Sequence, residues 1–145
     1  MAEKVKQRQV VKNLCLALLF VYCQPVFADQ TKKEAALTAA ENWLALVDVE
    51  NYAGSWQKAA AYFRRAVSED QWTQSMAAFR KPLGKVLSRT LASEYYTKTL
   101  PGAPDGEYVV IEYRTSFEHK AAGIETVTPM LDPDGVWRVS GYHIK

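Results

Sequence analysis

Near residue 85 the sequence changes its hydrophobic period, and this change restricts the possible folds more than any other feature. Before it, apolar residues recur at steps of three and four, which is typical of amphipathic helices. After it, apolar and polar residues alternate, so that Val109, Ile111 and Tyr113 fall on one face of a strand. Helices that precede a run of strands predict an α+β fold.

Three helices are predicted before the change of period. They cover about 32–49, 55–67 and 69–80. Ser68 and Gln71 have the spacing of a capping box, so the third helix begins after Ser68. Pro82 and Gly84 end that helix.

Four strands are predicted after the change of period, at about 85–100, 108–118, 124–132 and 136–145. Turn-forming residues separate them, in a loop at 100–107 and in turns at 121–123 and 132–135. Pro129 has no backbone N–H, so we expect it at a bulge or a sheet edge. Short connections make antiparallel neighbours. We therefore expect three helices packed on a curved, cone-like, four-stranded antiparallel sheet.

The first 28 residues have the pattern of a secretory signal peptide. A basic segment ends at Lys12, an apolar run covers Leu14 to Cys23, and Val26-Phe27-Ala28 provides the small residues of a cleavage site. The apolar run is about half the ~20 residues that span a bilayer, so we expect no stable membrane insertion after cleavage. The pattern predicts residues 1–28 as the leader, 29–33 as a flexible start and 34–145 as one domain, exported to a bacterial periplasm.

Composition excludes several functional classes. Both cysteines, Cys15 and Cys23, lie in the leader, so the mature chain has no disulfide and no thiol nucleophile. The leader also holds four basic residues and one acidic residue, which leaves 14 basic and 15 acidic residues and no basic patch for nucleic acid. Two histidines, His119 and His143, do not make a zinc site, so we predict no metal and no cofactor.

Five stretches of the chain carry a resemblance to a known family. They are Tyr52 to Trp56, Trp72 to Gly84, Leu100 to Val110, Glu125 to Pro129 and Asp134 to Tyr142. With them the chain resembles the uncharacterised bacterial family known as domain of unknown function 4019. That family is similar to the nuclear transport factor 2-like, or cystatin-like, cone folds. The resemblance implies a cone fold but no activity, because this fold group includes isomerases, cyclases and non-catalytic binding modules.

General acid–base chemistry is the enzymatic hypothesis. A cone-fold isomerase needs a carboxylate in an apolar pocket beside a hydroxyl. Asp48 ends the apolar stripe of the first helix and Glu94 lies on a strand that could line the cavity, so these two are the catalytic candidates. The alternative for Asp48 is a polar residue that caps the turn at 51–54.

Aromatic residues provide the candidates for a ligand pocket. They are Trp43, Trp56, Trp72, Tyr95 and Tyr113. Such residues either form a plain core or line an apolar cavity between helices and sheet.

Charged residues on the strands provide candidates for an interaction surface. Glu112, Arg114, Glu125 and Arg138 could form ion pairs on a solvated outer face. Alternatively, Arg114 and Arg138 bind an anionic ligand or the acidic patch of a protein.

These features favour an exported, non-enzymatic module that binds a small apolar ligand or a protein, and that could form a homodimer. The alternative is an isomerase- or cyclase-like enzyme without a cofactor, which would use a buried carboxylate.

Overall fold

The structure, a computed structural model, describes the backbone of residues 24–145 and the side chains of residues 28–145. The basic segment and the apolar run of the predicted leader lie outside the described residues. The chain divides after Thr31 into two units, and the packing below is that of Lys32–Lys145. Within the described part of the chain, no helix combines the length and apolarity needed to cross a membrane.

Within residues 24–145, four helices precede the sheet. They are α1 (Gln24–Asp48), α2 (Tyr52–Gln57), α3 (Ala61–Ala66) and α4 (Glu69–Phe79), and a short 3-10 helix (Lys81–Leu83) follows them. The first helix begins before the expected residue 32 and includes residues 29–33, for which the sequence suggested a flexible start. The capping box of α4 is confirmed, because the side chain of Ser68 accepts from the Gln71 backbone and the side chain of Gln71 accepts from the Ser68 backbone.

The prediction of one continuous helix at 55–67 is wrong, because α2 and α3 are separated by residues 58–60. The backbone N–H of Ala60 donates to the carbonyl of Val139 in the last strand, at 2.8 Å. The backbone N–H of Ala61 donates to the carboxylate of Asp132, at 3.3 Å. Contacts with β4 and with the turn before it thus replace the helical hydrogen bonds that a continuous helix would form.

Four antiparallel strands form one open sheet in the order β1-β2-β3-β4. They are β1 (Val86–Thr97), β2 (Tyr108–Phe117), β3 (Lys120–Leu131) and β4 (Trp137–Ile144). The helices pack on this sheet, which confirms the α+β class. Val109, Ile111 and Tyr113 are buried, as the alternation in β2 predicts. Strands β1 and β4 are the two edges.

The predicted turn at 121–123 is wrong, because these residues belong to β3. Phe117 pairs with Lys120, so the turn is Glu118-His119. The backbone N–H groups of these two residues donate to the carbonyls of Lys85 and Leu83, at 3.0 Å each, which attaches the turn to the segment before β1.

Gly123, which suggested a turn, is a site of close packing. A Cβ atom at this position would lie 3.1 Å from the ring of Phe117 and 3.3 Å from the carbonyl of Thr115. The absence of a side chain therefore lets β3 pass close to the end of β2.

The strands have four irregularities in their pairing, one of which lies between β2 and β3, at Thr115 and Phe117. The expected bulge near Pro129 is confirmed, since the register with β4 shifts between Thr128 and Pro129. In β1 the register with β2 shifts between Val86 and Ser88 and again between Leu91 and Ser93. Most of β1 is exposed, including the apolar side chains of Leu87, Leu91 and Tyr95.

The core is organised around the buried side chain of Ser55 in α2. The indole N–H of Trp43 donates to the backbone carbonyl of Ser55 at 2.8 Å, and that of Trp72 donates to its hydroxyl at 2.9 Å. Tyr142 of β4 lies with its ring 5.3 Å from that of Trp43. Helices α1, α2 and α4 therefore meet the sheet at one cluster of hydrogen-bonded aromatic residues.

Candidate functional site

A charged network connects the helices to the sheet. Arg89 of β1 donates to both carboxylate oxygens of Asp48, at 2.7 and 3.0 Å, and to both oxygens of Glu125 in β3, at 2.7 and 3.2 Å. Arg80, the residue that follows α4, donates to Asp48 at 3.1 Å. Two guanidinium groups therefore balance two carboxylates. Burial by itself lowers the pKa of Arg89, but its hydrogen bonds to Asp48 and Glu125 raise that pKa above its usual value.

Glu125 is completely buried, with 0% of its surface exposed. Besides Arg89, the hydroxyls of Thr115 and Tyr142 donate to its carboxylate, Tyr142 at 2.6 Å. Burial and the charge of Glu125 raise the pKa of Tyr142, so its phenol keeps the proton that it donates. Each oxygen of Glu125 thus accepts two hydrogen bonds, and the arrangement holds a charge in place and offers no acceptor to a substrate.

The prediction that Glu125 lies on a solvated outer face is therefore wrong. Glu125 pairs with Tyr113 in the sheet and shares its inward face. Arg138 does not pair with the expected acids of neighbouring strands either; it donates to Asp132 at 2.9 Å and to Asp134 at 2.8 Å, within its own hairpin. The hydrogen bond that Arg138 donates to Asp134 is the main cause that raises the pKa of Arg138. Arg114 lies exposed on β2.

The two catalytic candidates lie in different surroundings. Asp48, at the end of α1, has both oxygens engaged by arginines. It does not cap the turn at 51–54, because the side chain of Asn51 accepts from Gly54 at 3.0 Å there. Glu94 lies half-buried on β1 opposite Ile111.

A surface groove of about 380 Å³ lies between α4, the 3-10 helix and the end of β4. We call it the α4–β4 groove. Its apolar walls come from Trp72, Met76, Phe79, Leu83, Tyr142 and Ile144. Phe79, the last residue of α4, is 78% exposed, which is unusual for a large aromatic side chain. The volume of the α4–β4 groove falls in the ~300–1,000 Å³ range of small-molecule sites.

The α4–β4 groove adjoins the charged network. Arg80 and Tyr142 belong to both, since both line the groove while Arg80 binds Asp48 and Tyr142 binds Glu125. Lys120 and Lys145 are the other cations of the lining. Among the described residues that line the groove, none is acidic.

The five predicted pocket aromatics do not converge on one site. Trp72 lines the α4–β4 groove, while Trp43 lines a separate surface cavity beside Trp137. Trp56 is half-buried and donates from its indole to the carbonyl of Val67 at 2.7 Å. Tyr95 is 51% exposed on β1.

Tyr113 lines a third cavity, of about 340 Å³, beside Asp48 and Arg89. Its hydroxyl is buried and has no hydrogen-bond partner within the described residues. Burial raises the pKa of Tyr113 to about 12. The network therefore has the α4–β4 groove on one side and a buried, unpaired phenol on the other.

Sequence reasoning missed Arg80 and Arg89 as members of the site. Arg89 had no reliable signal, because Leu87 and Leu91 on either side of it in β1 are themselves exposed. Arg80 had none, since an arginine at the end of a helix is usually exposed. Within residues 24–145, no cluster of His, Cys, Asp and Glu side chains suits a metal ion.

Comparison with known proteins gives one family. A family model described as "Protein of unknown function (DUF4019)" matches residues 39–142, well over half of the chain. This range contains α4, the whole charged network and all four strands apart from the last residues of β4. No curated protein matches the chain. The relationship to nuclear transport factor 2-like folds stays a prediction.

The substitution Glu125→Gln should lower the free energy of unfolding by about 3 kcal/mol, because it leaves buried Arg89 without one of its two counter-charges. Urea denaturation of the variant and the wild type measures the difference. The matched control is Glu112→Gln on β2, where the carboxylate accepts one long hydrogen bond from Ser93 at 3.3 Å. Equal effects of the two substitutions would contradict the structural role of Glu125.

The substitution Tyr113→Phe should leave the protein at least as stable at neutral pH, because it removes a buried hydroxyl without a hydrogen-bond partner. In the wild type the pKa of Tyr113 is raised from 10.0 to about 12 on folding. Stability that this shift provides below pH 10 is lost as the pH rises towards 12. Urea denaturation across this pH range should show that the free energy of unfolding declines more steeply for the wild type than for Tyr113→Phe. Parallel curves would contradict the raised pKa of Tyr113.

Proposed function

The chain belongs to the DUF4019 family, and from that premise we propose that it is an exported, non-enzymatic binding module that holds a small, largely apolar ligand in the α4–β4 groove. The family description assigns no activity, so the proposal depends on geometry. The observation that carries the proposal is the exposed aromatic ring of Phe79 beside the concave apolar wall of the groove. An exposed ring of this kind gains free energy when a ligand removes it from water.

The shape of the groove favours a small molecule over a protein. Its volume of about 380 Å³ is that of a compact cavity, with walls from α4, the 3-10 helix and β4. A specific protein interface instead buries roughly 800 Å² on each partner, which needs a broad surface. Most of the lining surface is apolar, as in sites that bind ligands mainly by apolar contact.

The carboxylates near the groove favour binding over catalysis. Glu125 and Asp48 have all their oxygens engaged by arginines and hydroxyls. A general base must reach the proton that it abstracts and must have a lone pair free to accept it. The carboxylate of Glu125 has no such free lone pair, and that of Asp48 is fixed between two arginines.

Export is supported by the sequence before Asp29. A basic segment, a short apolar run and the small residues Val26 and Ala28 follow one another in the order of a signal peptide. A binding module with this leader would meet its ligand in the periplasm.

A neutral fluorescent probe, N-phenylnaphthylamine, tests the groove. We expect saturable binding to the wild type, with increased probe emission and altered fluorescence of Trp72, which lines the groove. The substitution Phe79→Ser should weaken binding by about tenfold or more, because it removes most of the apolar area of the rim.

The matched control for the probe is Leu87→Ser. Leu87 is 65% exposed on β1, and it does not line the groove. Probe affinity should therefore match that of the wild type. Absence of saturable binding, or equal weakening by both substitutions, would count against ligand binding in the groove.

Export is tested separately by N-terminal sequencing of the protein from a periplasmic fraction of its host. The expected first residue is Asp29. The substitution Ala28→Lys removes the small residue before the cleavage site, so the precursor should accumulate. An intact N-terminus in the cytoplasmic fraction of wild-type cells would overturn the export proposal.

A further inference from the structure

The charge of the α4–β4 groove indicates the chemistry of its ligand. In the adjoining network, the guanidiniums of Arg80 and Arg89 are balanced by the carboxylates of Asp48 and Glu125. The remaining charges of the lining are those of Lys120 and Lys145, and none of the described lining residues is acidic. The unpaired side-chain charges of the lining are therefore positive and lie beside an apolar wall, where charges interact more strongly than in bulk water.

Arg80 provides a second, independent observation. Its side chain is only 4% exposed, although it lines the groove. One terminal nitrogen donates to the carbonyl of Gly84 at 2.8 Å and the other to Asp48 at 3.1 Å. Its Nε–H is buried and has no acceptor within the described residues.

The position of Arg80 is held from several sides. Its guanidinium carbon lies 4.7 Å from the centre of the Phe117 ring, and its hydrogen bonds attach it to α1 and to the turn before β1. The donor is thus fixed before any ligand arrives. Buried donors without acceptors are rare in folded proteins, and a ligand is one way to provide the acceptor.

We infer that the ligand of the α4–β4 groove is an apolar molecule with one anionic group, such as a carboxylate, held by Arg80 and Lys120. This inference rests on the proposed function and specifies its ligand class. The apolar part lies against Trp72, Met76 and Phe79. The anion provides the counter-charge that Lys120 lacks within the lining, and it lies beside the buried guanidinium of Arg80.

Octanoate and octanamide form the matched pair of probes, because they share shape and apolar chain and differ in charge. Isothermal titration calorimetry with the purified wild-type protein should give an affinity about tenfold higher for octanoate, since charge-assisted hydrogen bonds are roughly twice as strong as neutral ones. Added salt should weaken octanoate binding and leave octanamide binding nearly constant.

Substitution of Lys120 tests the effect of its charge on ligand affinity without removing a contact that holds the fold together. Lys120→Gln should reduce the ratio of the two affinities, whereas Lys85→Gln should preserve it, because Lys85 is exposed and does not line the groove. Replacement of Arg80 would also leave Asp48 with one arginine fewer, so Lys120 is the cleaner test. Thermal unfolding of each variant confirms that the fold is intact.

The outcomes distinguish the inference from the proposed function. Stronger, salt-sensitive binding of octanoate that depends on Lys120 supports both. Equal affinities for the two probes overturn the anionic ligand and leave the groove as an apolar site. Binding of N-phenylnaphthylamine without binding of either octanoate or octanamide also overturns the anionic ligand. Binding of none of the three overturns the proposed function and the inference together.

Discussion

A single guanidinium, that of Arg89, joins the two layers of this fold. It binds Asp48 at the end of α1 and Glu125 in the middle of β3. A buried ion pair adds little net stability, because both charges lose their hydration, but removal of one partner is expensive. The main effect of these ion pairs is to align α1 with β3. If α1 or β3 slipped by one residue, a charge would be buried without its counter-charge, so the network is compatible with only one placement of the helix on the sheet.

The same network positions the groove. Asp48 binds Arg80 as well as Arg89, so the carboxylate that holds α1 against the sheet also orients the arginine at the groove. Arg80 also donates to the carbonyl of Gly84, whose φ of 78° turns the chain towards β1. A ligand would therefore meet a preorganised donor, and little side-chain freedom would be lost on binding.

Sequence patterns predicted the elements whose burial is one-sided and failed where a distant residue decides the structure. Alternation identified the inward face of β2, although Tyr108 and Val110 of its other face are buried as well. The break between α2 and α3 depends on the hydrogen bond from Ala60 to Val139, which no local pattern reveals. Glu125 was assigned to the outer face because charged residues are rarely buried, and only its pairing with Arg89, 36 residues away, reverses that preference.

The irregular pairing of β1 bears on how the folded protein behaves at high concentration. A twelve-residue edge strand with exposed apolar side chains is a template on which strands of other molecules can add and start aggregation. The two register shifts of β1 kink and twist it, so a straight incoming strand could pair over only a short stretch. At the opposite edge, the backbone N–H of Ala60 donates to the carbonyl of Val139 in β4, so this carbonyl is not free to pair with another strand. The irregularities thus hinder the addition of foreign strands to an edge that no further strand of residues 24–145 covers.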